Sequence, residues 1–205
     1  MKNTKPTFTI FAGINGAGKT TLFEYLNSIG GFSLGKYVCP DFILKEKNGN
    51  WENPADKISS GRDALSQISQ NIKNKETFCW ETTIFSNLAL KTITAAKDAG
   101  FNVSLHYIFV SSLQTSLERI EKRVSLGGHG VDEIIVKSRY NFQTKNLAEV
   151  LDMVDTAYLY ENQDMFRIKV IKNNNDLIQI DSHNIPNSIF TEYKNLIENK
   201  KENAN

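Results

Sequence analysis

The chain has 205 residues, of which 40% are hydrophobic and 23% charged, and its formal net charge is +1. This length can bury a substantial core, and we predict a single domain over residues 1–205. Because the net charge is close to zero, we expect neither a nucleic acid nor a membrane as partner. No apolar run is long enough to span a bilayer, and Met1–Pro6 lacks a signal-peptide core, which predicts a cytoplasmic protein.

Apolar, strand-forming runs alternate with amphipathic segments along the chain. Strands are predicted at residues 8–12, 36–39, 77–80, 102–110, 157–160, 168–171 and 177–180. Helices are predicted at 21–26, at 54–73, between Asn87 and Gly100, between Ser112 and Gly127, at 132–155, and from Pro186 onward, with an exposed loop at 45–52. This alternation predicts an α/β three-layer sandwich, in which a mostly parallel sheet has helices on both faces.

Helix boundaries are marked by residues that favour caps and stops. Gly30-Gly31 is predicted to end the first helix, and Asn53, Asn87 and Ser112 are predicted N-caps. Gly100 is predicted to close the helix that begins after Asn87, the glycine-rich segment 127–130 to break the helix after Ser112, and Pro186 to open the last helix.

The cysteines and histidines give no sign of a metal site. Cys39 and Cys79 lie beside apolar runs, so we expect buried, reduced thiols rather than a disulfide. His106, His129 and His183 are scattered without the spacing typical of metal ligands.

The segment Gly13-Ile-Asn-Gly-Ala-Gly-Lys-Thr20 fits G-x-x-x-x-G-K-[ST], the phosphate-binding loop of P-loop proteins. The predicted strand before it and helix after it supply the context that the motif requires, and they argue against a chance match. Glycines let successive backbone N–H groups wrap a phosphate, Lys19 would reach the β- and γ-phosphates, and the Thr20 hydroxyl would bind Mg²⁺. The candidate nucleotide-binding residues are Gly13, Asn15, Gly16, Ala17, Gly18, Lys19, Thr20 and Thr21.

Two acidic residues follow predicted strands at the edge of the sheet that carries the loop. Phosphoryl transfer needs a carboxylate to receive the proton of the acceptor hydroxyl, and we assign this role to Asp41. The alternative for Asp41 is a turn residue after proline. Glu81 is predicted to bind the acceptor together with Thr82 and Thr83 or to serve the metal, with a helix-start charge as the alternative.

A cluster of arginines surrounds the glycine-rich break after residue 126. Arg119 and Arg123 are four residues apart and share one helix face. The residues predicted to face the core are Leu113, Leu117, Ile120 and Val124. A helix–glycine–helix segment with inward arginines is typical of a lid, here residues 119–145. We predict that Arg123 and Arg139 contact phosphate. For Arg119, a solvated face shared with Glu118 and Glu121 is favoured.

Several of these segments together resemble the zeta-toxin family of P-loop kinases. The shared segments are the phosphate loop, Pro40-Asp41, Trp80-Glu81-Thr82-Thr83, Arg123-Val-Ser-Leu-Gly-Gly-His-Gly-Val131, Arg139-Tyr140, Asn146-Leu147 and Tyr160-Glu161-Asn162. The phosphate loop occurs in many families, so the arginine and Gly-Gly-His run is the more specific signal. The resemblance spans roughly residues 8 to 162.

The resemblance implies ATP and Mg²⁺ as cofactors and a nucleotide-sugar such as UDP-N-acetylglucosamine as acceptor. It implies Lys19 and Thr20 on phosphate and metal, Asp41 as base, Glu81 on the acceptor, and Arg123 with Arg139 over the γ-phosphate. It also implies a small antitoxin partner. Asp132 stands where the family often has proline, and the acceptor is left open between a nucleotide-sugar and another small metabolite.

Two functions from other classes are the alternatives to a small-molecule kinase. A nucleotide-dependent switch ATPase would hydrolyse ATP with a partner and have no acceptor. A binding module would bind ATP without turnover, and the presence of every required group argues against it.

Overall fold

The computed structural model describes residues 5–30, 33–84, 86–144, 146–174, 176–181 and 187–202. Seven strands form one sheet in the order β2-β3-β1-β4-β5-β6-β7. Their bounds are β1 Thr7–Ala12, β2 Lys36–Val38, β3 Phe78–Thr82, β4 Asn102–Phe109, β5 Thr156–Asn162, β6 Phe166–Asn173 and β7 Asp176–Gln179. The first five in this spatial order pair in parallel, and β6 and β7 are antiparallel.

Eight helices are described, and they cover both faces of the sheet. Their bounds are α1 Lys19–Ile29, α2 Pro40–Glu46, α3 Pro54–Asn74, α4 Leu88–Asp98, α5 Leu113–Ser125, α6 Glu133–Asn141, α7 Leu147–Met153 and α8 Asn187–Glu202. Apolar side chains of α3, α4, α7 and α8 pack on one face, and those of α1 pack on the other. The predicted three-layer sandwich with a mostly parallel sheet is confirmed.

The central strand β1 brings the sequence motifs to one edge of the sheet. Within β1, Ile10 packs in one buried cluster and Phe11 in the cluster on the opposite face, as the two-residue strand period requires. Parallel pairing sets Phe11 opposite Glu81 of β3. Because parallel strands end at the same edge, Glu81 lies beside the phosphate loop that follows β1.

One helix prediction and one loop prediction were wrong in their bounds. The helix expected over 132–155 is divided into α6 and α7, with Asn146 in the left-handed conformation at φ 65° between them. The exposed loop expected at 45–52 begins later, because Pro40–Glu46 forms α2 with proline in its first turn. Asp41 therefore lies in the first turn of a helix rather than in a turn after a strand.

The cap predictions had mixed outcomes. The side chain of Asn53 accepts a hydrogen bond from the Ala55 N–H, and that of Ser112 accepts one from the Thr115 N–H. Asn87 is the N-cap residue of α4, as predicted, but its side chain makes no capping hydrogen bond. Val124, expected in the core, is 46% exposed, so that expectation was wrong. Gly31, Pro186 and His183 lie outside the described residues.

Both cysteines are free and buried, as predicted. Burial raises the pKa of the Cys39 and Cys79 thiols to about 12, so both stay protonated near neutral pH. Within the described ranges, none of the helices combines the length and apolarity needed to cross a bilayer.

Candidate active site

The phosphate loop bends through three glycines with positive φ. The φ angles are 144° at Gly13, 74° at Gly16 and 96° at Gly18, the residue that precedes α1. Such angles are strained for residues with a Cβ atom. The loop therefore takes the tight course that directs backbone N–H groups and the start of α1 toward a bound anion.

Side chains from two other elements hold the outside of this loop. The Ser116 hydroxyl donates to the Asn15 carbonyl at 2.7 Å, and the Asn162 amide donates to the Ala17 carbonyl at 2.8 Å. Arg119 donates to the carbonyls of Gly16 at 3.3 Å and Asn162 at 2.9 Å. The favoured interpretation of Arg119 as part of a solvated face was wrong, since its guanidinium joins the loop to the end of β5.

Replacing Gly16 with alanine is expected to lower the free energy of unfolding by about 1–3 kcal/mol. The backbone of residue 16 must keep its positive φ angle, and there is no space for a Cβ atom. A Cβ atom at Gly16 would lie 2.7 Å from the Ser116 carbonyl oxygen. Urea unfolding measures the change. Gly61→Ala is the matched control, because its Cβ would meet nothing within 4 Å inside α3, so this substitution should be neutral or stabilising. Equal stability of Gly16→Ala and wild type would contradict the account.

Glu81 lies at the centre of a small polar network beside the loop. The Thr20 hydroxyl donates to Glu81 Oε2 at 2.8 Å, and the Tyr37 hydroxyl donates to the same oxygen. Lys19 Nζ lies 3.9 Å from Glu81 Oε1 and donates to the Ile14 carbonyl at 3.1 Å. Burial and the charge of Glu81 raise the pKa of Tyr37, so its hydroxyl remains a donor.

The Thr20 hydroxyl and the Glu81 carboxylate fit a Mg²⁺ ion. Both are hard oxygen donors, and Mg²⁺ is usually bound by one or two such groups together with substrate phosphates and water. Within the part of the chain that the structure describes, no group of three or more His, Cys, Asp or Glu side chains is placed to hold a metal by itself. A site completed by phosphate oxygens agrees with this donor set.

Asp41 faces His129, which lies in the segment between α5 and α6. His129 Nε2 lies 3.1 Å from Asp41 Oδ2, and the His129 ring stacks on Trp51 with centroids 3.7 Å apart. The Asp41 side chain is half-exposed. Partial desolvation opposes its ionisation, but the hydrogen bond to His129 and the nearby charges of His129, Lys19 and Arg123 lower its pKa below the usual value. Asp41 is therefore a carboxylate at neutral pH, able to accept a proton.

The two arginines assigned to phosphate differ in what they contact. Arg123 Nε donates to the His129 carbonyl at 2.9 Å, while its buried Nη2 atom has no hydrogen-bond partner within the described residues. Arg139 donates to the Asn15 side chain at 2.5 Å. Burial lowers the pKa of both guanidinium groups, and the charge of Asp41 counteracts this. The free Nη2 atom of Arg123 is suited to an incoming anion.

These groups surround one cavity of about 560 Å³. The predicted residues that line it are Asn15, Gly16, Gly18, Lys19, Thr20, Thr21, Asp41, Glu81 and Arg123. Five other predicted site residues do not line the cavity, namely Gly13, Ala17, Thr82, Thr83 and Arg139. Thr82 instead accepts a hydrogen bond from the Ile84 N–H at 3.4 Å. The acceptor role given to Thr82 and Thr83 remains a prediction.

Sequence reasoning did not assign roles to several residues that line the cavity. These are Tyr37, Cys39, Phe42, Lys45, Trp51, His129 and Asn162. His129 and Asn162 lie within the segments of the family resemblance. The others lie between the start of β2 and the segment that follows α2. Because α2 was not predicted from the sequence, Phe42 and Lys45 were not expected to line the same cavity as Asp41.

Comparisons with known proteins give one sequence relative and several structural ones. No protein-family model matches the chain. An uncharacterized protein of Haemophilus influenzae is 35% identical over 130 residues, which cover 63% of this chain and 89% of that protein.

Two solved structures illustrate the likeness of fold. The PezAT chromosomal toxin–antitoxin system of Streptococcus pneumoniae matches with a TM-score of 0.56 and 17% identity, over 81% of this chain and 72% of that chain. The AvrRxo1-ORF1:-ORF2 structure with ATP matches with a TM-score of 0.63 and 15% identity, over 88% of this chain and 62% of that chain. The chain thus spans less than two thirds of its AvrRxo1 relative.

Proposed function

We propose that this chain, which belongs to the same family as the Haemophilus influenzae protein, is an ATP-dependent phosphotransferase. The premise is that it also has the fold of the zeta-toxin-like P-loop kinases. One observation carries the proposal. A single cavity is lined by the phosphate loop with Lys19, by the carboxylate of Asp41 and by the guanidinium of Arg123. These are the groups that phosphoryl transfer needs, namely a phosphate cradle, a proton acceptor and positive charge on the transferring group.

Each of these groups has a defined task in the transfer. The acceptor hydroxyl oxygen forms a bond to the γ-phosphorus, the bond from this phosphorus to the β–γ bridging oxygen breaks, and ADP leaves. The Asp41 carboxylate takes the hydroxyl proton. Lys19 and Arg123 hold the phosphoryl oxygens as negative charge shifts to the leaving group. Arg139 donates a hydrogen bond to the Asn15 side chain of the loop, and its positive charge interacts with the Asp41 carboxylate.

The cofactors in the proposal are ATP and Mg²⁺. The relative solved with ATP has the same fold, and the phosphate loop suits a nucleoside triphosphate. Thr20 and Glu81 would hold Mg²⁺, which when bound neutralises phosphate charge during transfer. This assigns Glu81 to the metal rather than the acceptor, because its Oε2 atom already faces Thr20 at 2.8 Å.

The acceptor is proposed to be a small molecule that carries a negative charge beside its hydroxyl. Phe42 and Lys45 of α2 line the cavity on the side of Asp41, together with Trp51. Lys45 has no ion-pair partner among the described residues. A nucleotide-sugar such as UDP-N-acetylglucosamine offers a hydroxyl, a diphosphate and a planar base to these groups.

Replacing Lys45 with alanine is expected to raise the KM of the acceptor about 10-fold, the value of one lost charge-assisted hydrogen bond. The KM of ATP should change little, because the triphosphate is held by the loop. Steady-state kinetics with each substrate varied in turn measures both constants. Lys57→Ala on α3 is a control outside the cavity. An unchanged acceptor KM would contradict the assignment of Lys45.

The experiment that tests the function is a transfer assay. The protein is incubated with ATP, Mg²⁺ and a panel of nucleotide-sugars and phosphorylated metabolites, and products are searched for a phosphate mass shift. We expect UDP-N-acetylglucosamine or another anionic alcohol to gain one phosphate. No transfer to any acceptor, in protein that binds ATP, would overturn the kinase proposal and favour the switch ATPase, which should then show hydrolysis stimulated by a partner.

A small protein partner forms part of the proposal. PezAT is by name a toxin–antitoxin system, and AvrRxo1-ORF1 was solved with AvrRxo1-ORF2. If this chain is a toxin of that type, expression of the wild type should slow growth of the host, and expression of an inactive Lys19 variant should not. Equal growth would overturn the toxin assignment and leave the kinase assignment standing.

A further inference from the structure

The turn after α5 is packed tightly against Arg123. The Gly128 N–H donates to the Arg123 carbonyl at 2.9 Å, and the Arg123 side chain donates through Nε to the His129 carbonyl at 2.9 Å. A Cβ atom at Gly128 would lie 2.6 Å from Arg123 Cγ. Only glycine allows this approach, so the position of the Arg123 guanidinium is coupled to the backbone of Gly128 and His129.

The side chain of His129 reaches the other half of the cavity. Its Nε2 atom lies 3.1 Å from Asp41 Oδ2, and its side chain is only 15% exposed. The ring lies flat on Trp51, with 8° between the two planes. Trp51 belongs to the segment between α2 and α3, so the imidazole is fixed between that segment and the first turn of α2.

We propose that His129 is a positioning residue for the transfer reaction, which orients the Asp41 carboxylate and links that orientation to the placement of Arg123. The inference rests on the proposed function. The backbone carbonyl of His129 accepts a hydrogen bond from Arg123, and its ring contacts Asp41. One residue therefore fixes the position of the guanidinium that holds the phosphoryl oxygens and of the carboxylate that accepts the proton. Trp51 keeps the imidazole ring in the plane that this contact needs.

The charges around Asp41 predict how the reaction responds to pH. Lys19 on α1, Arg123 on α5, Arg139 on α6 and His129 all favour the carboxylate. Since the pKa of Asp41 is lowered in the wild type, activity that needs the carboxylate should persist as the pH falls and be lost only near that low pKa. Removing His129 raises the pKa of Asp41, so the acidic limb of the kcat profile should move to higher pH.

Three substitutions separate positioning from packing. His129→Phe keeps a ring to stack on Trp51 but removes the donor to Asp41, and we expect kcat to fall about 10- to 100-fold with the KM of ATP nearly unchanged. His129→Gln keeps an N–H donor and should retain most of kcat. Leu126→Ala is the matched control in the same turn, since Leu126 is 78% exposed, and its kcat should equal that of the wild type.

A double-mutant cycle gives a readout that a purely structural role would not move. If His129 acts through Asp41, adding His129→Phe to Asp41→Asn should lower the residual kcat by less than about twofold, because coupled residues are non-additive. If His129 only stabilises the fold, the effects of His129→Phe and Asp41→Asn on kcat should multiply. The two variants that carry His129→Phe should then have a lower melting temperature than the wild type.

The outcomes distinguish this inference from the proposed function. Phosphate transfer by the wild type that depends on Asp41, with an unchanged kcat and pH profile in His129→Phe, would overturn the inference and leave the function standing. Multiplicative effects in the cycle would also overturn it. No transfer by the wild type to any acceptor would overturn both.

Discussion

Replacing Lys19 with alanine is expected to lower kcat for phosphate transfer by at least about 1,000-fold. Lys19 is 8% exposed, and its ammonium lies between the loop carbonyl of Ile14 and the carboxylate of Glu81. Without this ammonium, the negative charge that develops on the phosphoryl oxygens would lose a buried positive donor that the loop itself supplies. Transfer is measured as labelled phosphate gained by the acceptor.

Two controls keep this result interpretable. Lys36→Ala removes an exposed lysine that pairs with Glu76 at 2.6 Å, and it should leave kcat unchanged. Thermal unfolding without nucleotide checks that the Lys19 variant is folded, and a modest loss of stability is expected because its hydrogen bond to the Ile14 carbonyl is removed. Retention of more than a tenth of the wild-type rate by a folded Lys19→Ala protein would show that the loop does not hold the transferred phosphate.

Replacing Asp41 with asparagine is expected to lower kcat about 100- to 10,000-fold, the usual contribution of a general base. The amide keeps the shape of the carboxylate and can still accept a hydrogen bond from His129, but it cannot take the proton of the acceptor. Affinity for ATP should change much less than turnover, because Asp41 lies on α2 rather than on the phosphate loop. Equilibrium binding of ATP and steady-state turnover are measured on the same preparation.

The matched control for Asp41 is Asp63→Asn on α3. Asp63 pairs with Lys47 at 2.5 Å on the surface, and surface pairs of this kind contribute little, so its variant should behave as the wild type. If ATP affinity falls as far as turnover in Asp41→Asn, then Asp41 serves nucleotide binding and the assignment as base is wrong.

The parts of the fold that depend on local chemistry could be predicted from the sequence. All seven strands were predicted close to their observed bounds, because short apolar runs between turn residues leave few alternatives. The tight course of the loop after β1 followed from its glycines, because glycine adopts the positive φ angles found at Gly16 and Gly18 without strain. The binding of phosphate by this loop stays a prediction. The sandwich followed from the alternation of strands and helices.

The missed features depend on neighbours distant in the chain. Nothing local distinguishes an Asp after proline in a turn from the same residue in the first turn of α2. Arg119 reads as one charge among Glu118 and Glu121, and only the approach of β5 to the loop gives its guanidinium three carbonyl partners. The helix expected at 132–155 is divided at Asn146, which has a left-handed backbone and donates through its side-chain amide to the distant Ile84 carbonyl at 3.4 Å.

The sequence by itself determined the order of strands and helices and the phosphate loop, because backbone sterics and hydrophobic periodicity act over a few residues. Only the tertiary structure decided which side chains meet Asp41 and Glu81. His129 lies 88 positions after Asp41 in the chain (129 − 41) and Thr20 lies 61 positions before Glu81, yet each pair is within hydrogen-bond distance. Contacts of this range are set by how helices pack on the sheet, and no local pattern records them.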